Sequence, residues 1–349
     1  MSRSSRPIVA TRDMVRRRRR RRTIAVLAVM VVLVGGTGYG AWHYIDEQEY
    51  LLDPGCTVPL GDQEHHLDPE QSAHAALIAA MSADRGLPVQ AAVDALAISL
   101  KESELRVSPG GEDRPARALF RDEGPDWTDR EQEVQVLAPV SGFYDSLVEA
   151  RDREKRSWTP QLDVQEAAGV LDRPLDPSVY DEQVDPARAF APPLAGRQPL
   201  GVTCEFSQQD VPAADPEGMD AQMSAVLGSV LDLPRGDDRD DSEEQVIRHA
   251  EGADGATRLV VEIPAAEERP AIDPAWLVGQ WAVATADVHG VWSVQAADYE
   301  WRRETGRWER LEDDASGDDA EQDTGQDTED DADGDAAPRT VRIGFAPPD

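Results

Sequence analysis

Apolar residues fall into three regimes along the chain. The first is an unbroken run. Residues 23–45 (TIAVLAVMVVLVGGTGYGAWHYI) contain no Asp, Glu, Lys or Arg, and that length and character suit one bilayer-spanning helix. Trp42 and Tyr44 stand at its far end, where amphipathic rings favour the membrane–water interface. The second regime has a helical period. In residues 68–105, Asp68 predicts an N-cap, Pro69 a first helical position and Gln71 the reciprocal partner of a capping box. Gly86 predicts a left-handed stop, and Pro88 restarts a helix that runs to about Leu105. Further helices are predicted over 140–149, with Phe143 and Leu147 on one side, and over 158–170, with Pro160 in the first turn. The third regime mixes periods. Residues 220–231 predict a helix and 258–263 a strand. Asp273 caps a helix begun by Pro274, with Leu277, Trp281, Ala284 and Val288 on one face. A strand over 291–296, a hairpin over 299–311 turning near Thr305-Gly306, and a strand over 339–345 follow.

These patterns predict a mainly α domain over 46–206, a linker over 207–219 and a small α+β module over 220–349, behind a single N-terminal transmembrane helix. Residues 312–337 are mostly Asp, Glu, Gly, Ala and Gln with no apolar pattern, which predicts a disordered insertion. It is a loop rather than a tail, because a strand pattern resumes after it.

Charge sharpens the topology. The chain carries a net charge of -34, yet residues 1–22 hold ten Arg against the single Asp13. Basic residues directly before an apolar span predict a cytoplasmic N-terminus, with the bulk of the chain outside the cell membrane. The rival is a cleaved signal peptide, since residues 24–34 alone have the length of its apolar region; no A-x-A site follows. The acidic remainder argues against nucleic acid, which needs Lys and Arg patches, and against capture of anionic wall polymers; a neutral glycan stays compatible. Cys56 and Cys204 are the only cysteines, and they bracket the mainly α region. Outside the cell they are expected to form one disulfide, the alternative being two thiols. No HExxH, Cys/His cluster, phosphate loop or G-x-S-x-G elbow occurs, so no metal or cofactor is predicted. His249 in HAEGAD, with His289 as a distant partner, is a faint zinc-peptidase pattern whose plainer reading is a solvated loop.

The chemistry centres on Glu102. On the second helix Gln90, Asp94 and Lys101 form a polar stripe, while Glu102 projects over Ala91, Ala95 and Ile98. Burial and the negative end of the helix dipole favour a carboxyl that keeps its proton, as a general acid requires. The plain alternative is a solvated Glu at the end of a surface helix.

Residues 91–106 resemble the catalytic helix of the lysozyme-like (goose-type lysozyme and lytic transglycosylase) superfamily. Residues 56–206 are more closely similar to an actinobacterial envelope group whose helix reads A-L-A-x-x-x-Q-E-S-x-L-R-N. Here the helix reads ALAISLKESELRV, and Glu102 takes the position of the acid. The group continues with an Asp-rich turn, S-x-G-L-F-Q and a Trp. This chain has Gly111-Glu112-Asp113, then Ala116-Arg117-Ala118-Leu119-Phe120-Arg121, then Trp127. The resemblance implies a lysozyme-like fold, peptidoglycan glycan as ligand and Glu102 as general acid; the family often lacks a strong second carboxylate, so a positioned water or the substrate's N-acetyl group would complete the reaction, with Glu112 and Asp113 as the available second carboxylates. It implies Leu119, Phe120, Arg121 and Trp127 as substrate contacts, with Tyr144, Trp158 and Tyr180 either stacking on sugars or filling the core. The group also carries one Cys before its first helix and one after its last, and the 220–349 region resembles its accessory module. Ala118 and Arg121 replace the Gly and Gln of the motif. A backbone passing close to a sugar accommodates Gly better than Ala. The expectation is therefore an envelope protein that binds peptidoglycan with weak or no catalysis, the alternative being an active muralytic glycosidase.

Overall fold

The computed structural model describes residues 53–108, 117–121, 132–233, 246–251, 256–264, 272–311 and 339–347. The predicted tail 1–22, span 23–45 and acidic insertion 312–337 lie outside these residues. Residues 54–349 belong to one unit.

A three-stranded antiparallel sheet closes the first half of that unit. Strands β1 (Gly55–Leu60) and β2 (Gln63–Leu67) form a hairpin, and β3 (Thr203–Glu205) pairs with the other side of β1. Cys56 stands directly opposite Cys204 in that register, and the two form the expected disulfide across a sequence separation of 148 residues. The hairpin was not legible in the sequence. Only Leu67 of β2 is buried, so the strand has no apolar alternation to read.

Helix α1 (Pro69–Asp84) follows, with both bonds of the predicted capping box in place: Asp68 accepts from the Gln71 backbone, and Gln71 accepts from the Asp68 backbone. Gly86 adopts the left-handed conformation (φ +65) that stops the helix. From Ser72 to Ala83 nearly every side of α1 is buried, and most of those residues are Ala. A small-residue helix that is buried all round can sit at the centre of a fold with several neighbours close to its backbone. Packed around it are α2 (Val89–Ser103), α3 (Gln132–Arg151) and α5 (Val184–Leu194), and from the second half α6 (Pro216–Leu227), α7 (Pro274–Ala284) and α8 (Ala286–His289). The helix predicted over 158–170 is shorter. Asp163 and Glu166 make their own capping box, and α4 spans only Val164–Val170.

The second half carries a six-stranded antiparallel sheet in the order β4-β5-β9-β6-β7-β8. Its strands are β4 (Ile247–Glu251), β5 (Thr257–Ile263), β6 (Val291–Ala296), β7 (Tyr299–Arg302), β8 (Trp308–Arg310) and β9 (Arg339–Phe345). The last strand inserts between β5 and β6, so the far end of the chain completes the sheet's centre. Leu259, Val261 and Ile263 of β5 are buried at alternate positions, and α7 packs against β6 and β9.

The expected architecture, a mainly α lysozyme-like domain followed by a small α+β module, is corrected by these findings. The described residues form eight α-helices and two antiparallel sheets, and α1 is shared by helices from both halves. Short strands with one exposed face escaped the helical reading of the first half. The span expected over 23–45 lies outside the described residues, and no helix among the described residues is long and apolar enough to cross a membrane.

Candidate functional site

Helix α2 begins after Pro88, which has extended backbone and no side-chain cap, and ends on two consecutive left-handed residues, Glu104 (φ 59) and Leu105 (φ 53). Non-glycine residues adopt this conformation only when their surroundings hold them there. The fixings are visible. The Glu104 N–H donates to the Leu100 carbonyl at 3.0 Å, Leu105 is fully buried, and its carbonyl meets Nδ1 of His74 on α1 at 2.6 Å. This reversal turns the chain away just after Glu102.

Glu102 lies on the face formed by Ala91, Ala95 and Ile98, all of them fully buried, and its own side chain has no solvent exposure. Both carboxylate oxygens are occupied. Oε1 accepts from Nε of Arg173 at 3.0 Å and from the hydroxyl of Tyr180 at 2.8 Å. Oε2 accepts from Nη2 of Arg173 at 2.6 Å and from the backbone N–H of Arg121 at 2.8 Å. The two arginine contacts form a parallel fork, the strongest geometry for this pair. Arg173 is supplied by the turn after α4, and its guanidinium sits 5.8 Å from the ring of Phe120 and 5.9 Å from that of Phe143. Those two rings stack with centroids 4.4 Å apart. Tyr180 comes from the 3-10 helix Pro177–Gln183, and burial, with the Glu102 carboxylate beside it, pushes its phenol up.

Of the residues expected to contact substrate, Leu119, Phe120 and Arg121 are described. Leu119 and Phe120 are fully buried core residues. Ser99 and Ser103 of α2 both donate to the Leu119 carbonyl, at 3.1 and 2.9 Å, so three side chains of one helix end, with Glu102, clip the backbone of 119–121. Arg121 contributes its backbone N–H, while its side chain is exposed. Tyr144 is buried and donates to the Ile78 carbonyl at 2.8 Å. Trp127, Glu112 and Asp113 lie outside the described residues.

A second buried carboxyl stands on the same helix. The helical period places Asp94 on a polar stripe, but it is fully buried, and accepts from the Trp158 indole and from Gln90, both at 2.8 Å. Burial raises its carboxyl to about 7, against the two hydrogen bonds, which act in the opposite direction. A buried Trp needs an acceptor for its N–H, which is the signal that pointed to such a partner without naming it. Sequence reasoning also missed Arg173, which lies in a Pro-rich turn with no periodicity.

No group of three or more His, Cys, Asp or Glu among the described residues is placed to hold a metal ion. His249 instead faces Asp220 at 3.1 Å, and His289 faces Asp215 at 3.1 Å. No protein-family model, curated protein or solved structure matches the chain.

Proposed function

We propose that this chain is a single-pass, membrane-anchored protein of the cell envelope, exposed outside the cell, that binds peptidoglycan glycan and does not cleave it. One observation carries the non-catalytic part. A general acid must bring its proton within about 2.6–3.2 Å of the leaving oxygen. Glu102 has no exposed side-chain surface, and four donors, two of them from one buried guanidinium, already fill its two oxygens. Glu102 then serves as the anchor that holds the turn 119–121 and the Arg173 turn against α2. The similarity of residues 91–106 to a glycan-cleaving helix supports glycan as the ligand. The Arg-rich residues 1–22 and the apolar run 23–45 support the anchor and its orientation.

Co-sedimentation of the full-length protein, in detergent, with purified peptidoglycan sacculi tests binding, and muropeptide release from the same sacculi tests cleavage. Retention on sacculi with no muropeptide release is the expected result. Absence of retention overturns the binding reading. Release that disappears in Glu102→Gln returns the protein to the glycosidases, with Glu102 as general acid.

A further inference from the structure

A cavity of about 730 Å³ opens away from Glu102, between the first turns of α1, the chain just after α2, and the helices α6 and α8. One part of its wall is apolar: Leu77, Val107, Val136 and Val288. The polar part is unbalanced. Asp68, Glu70, Asp215 and Asp287 all line it, whereas among the described residues Arg106 is its one arginine or lysine, and Arg106 is already shared between Asp68 and Glu70. Asp287 is held from behind by Arg303, at 3.0 Å, and Asp215 accepts from the Gly218 N–H at 3.0 Å and faces Nδ1 of His289.

His74 supplies an independent observation. Its Nδ1 is 2.6 Å from the Leu105 carbonyl, which can only accept, so Nδ1 carries a proton. Burial lowers the imidazole's affinity for a second proton. In that neutral tautomer Nε2 is an acceptor; among the described residues it has no hydrogen-bond partner, and the ring lines the cavity. Apart from the Gln222 amide, which can also donate, the wall's polar capacity is weighted toward acceptors, the four carboxylates and Nε2 of His74, set beside apolar side chains. An anion would meet surplus carboxylates, and an uncharged apolar ligand would leave them dehydrated and unpaired.

We propose that this cavity binds an organic ammonium, a primary amine on an alkyl stem, with the ammonium donating toward Nε2 of His74 and the carboxylates of Glu70 and Asp215 and the stem lying along Leu77, Val107 and Val136. The volume falls in the range of ligand pockets, about 300–1,000 Å³, so it admits a stem of several carbons with room for further groups. The inference is independent of the glycan reading, since it uses neither Glu102 nor its neighbours.

The test uses the full-length protein in detergent with 1,5-diaminopentane as probe, and 1,5-pentanediol and glutarate as neutral and anionic controls of the same length. Binding is read from the thermal midpoint and from the ¹⁵N signal of His74 Nε2, which moves when that atom accepts a hydrogen bond. The diamine is expected to raise the midpoint and shift the His74 signal, and both controls to do neither. Glu70→Gln is expected to weaken the diamine about tenfold, a difference of about 1.4 kcal/mol. Val288→Trp, at a position 49% exposed, is expected to fill the cavity and abolish the His74 response without lowering the ligand-free midpoint. The acidic surface of the chain can attract diamines elsewhere, and the His74 signal separates that case. A midpoint shift with a silent His74 overturns the proposal, as does an equal response to the diol or an unchanged affinity in Glu70→Gln.

Discussion

Arg173 grips Glu102 through two parallel hydrogen bonds, Nε to Oε1 at 3.0 Å and Nη2 to Oε2 at 2.6 Å, with side chains 4% and 0% exposed. A pair this well enclosed is worth little net stability against two apolar residues of the same shape, but breaking it from one side is costly, because an uncompensated charge stays buried.

Arg173→Met should therefore destabilise the protein by about 3–5 kcal/mol. The double change Arg173→Met with Glu102→Met should recover much of that loss, because no unpaired charge remains. Denaturant midpoints of the two single variants and the double variant measure the coupling. A loss under about 1 kcal/mol in Arg173→Met would show that water reaches Glu102, and the closed-site reading of the carboxylate would fail.

Asp94 makes stability depend on pH. Its carboxyl is raised from 3.8 to about 7 by burial. Between those values the folded state keeps a proton that the unfolded state has released. Stability therefore falls as pH rises from about 4 to about 7 and changes no further above that, by at most about 4 kcal/mol for a shift of this size. Asp163 opposes ionisation and Arg188 favours it, both weakly beside the burial effect. Asp94→Asn keeps an acceptor for the Trp158 indole and has no proton to lose. The stability difference between Asp94→Asn and the wild type should grow in favour of the variant from pH 4.5 to pH 7.5. A constant difference across that range would mean that Asp94 is ionised in the fold at every pH tested.

The sequence made some of this legible and hid the rest for physical reasons. Local chemistry read well: Asp68 with Gln71, Gly86, Asp273 before Pro274, and the strands over 258–263, 291–296 and 339–345 are all present. The burial of Glu102 was also readable, since its helical neighbours are Ala91, Ala95 and Ile98. What faces it was not, because Arg173 lies 71 positions away and contributes no pattern of its own. Asp94 misled for a related reason. Its period places it with Gln90 and Lys101, and its partner Trp158 is 64 positions away. The cavity was equally hidden, because His74, Asp215 and His289 meet only once α1, α6 and α8 have packed.

The disulfide should matter beyond its own sheet. It closes a sequence separation of 148 residues, for which chain entropy alone gives roughly 5 kcal/mol. The Cys204 carbonyl also accepts from the indole of Trp301 at 3.0 Å, so β3 links the small sheet to β7 of the large one. Cys56→Ala with Cys204→Ala should lower the urea midpoint, and should speed hydrogen exchange at Trp301 as well as in β1. Unchanged exchange at Trp301 would show that the two sheets hold together without the bond.

Gln280 of α7 is fully buried and uses its whole amide. Its Oε1 accepts from the N–H groups of Gly201 at 2.9 Å and Val202 at 3.2 Å, and its Nε2 donates to the carbonyls of Pro193 at 2.9 Å and Gln198 at 3.0 Å. The segment leading into β3 is thus fastened to a helix of the second half by one side chain. Gln280→Leu preserves the approximate shape and strands four backbone groups. At about 1–3 kcal/mol for each buried group left unmet, with relaxation recovering part, a loss of at least about 3 kcal/mol is expected. Gln280→Glu discriminates further. When protonated it can still accept from Gly201 and Val202 and donate once. When ionised it turns a negative charge toward the Pro193 and Gln198 carbonyls. Such a carboxyl has its folded pKa raised, so the variant's deficit should widen as pH rises above the unfolded value of about 4.3. Chemical denaturation at pH 5 and pH 8 reads the effect. Equal deficits at the two pH values, or a Gln280→Leu loss below about 1 kcal/mol, would mean that the Gly201 segment finds other partners and that the two halves are held by apolar packing around α1 instead.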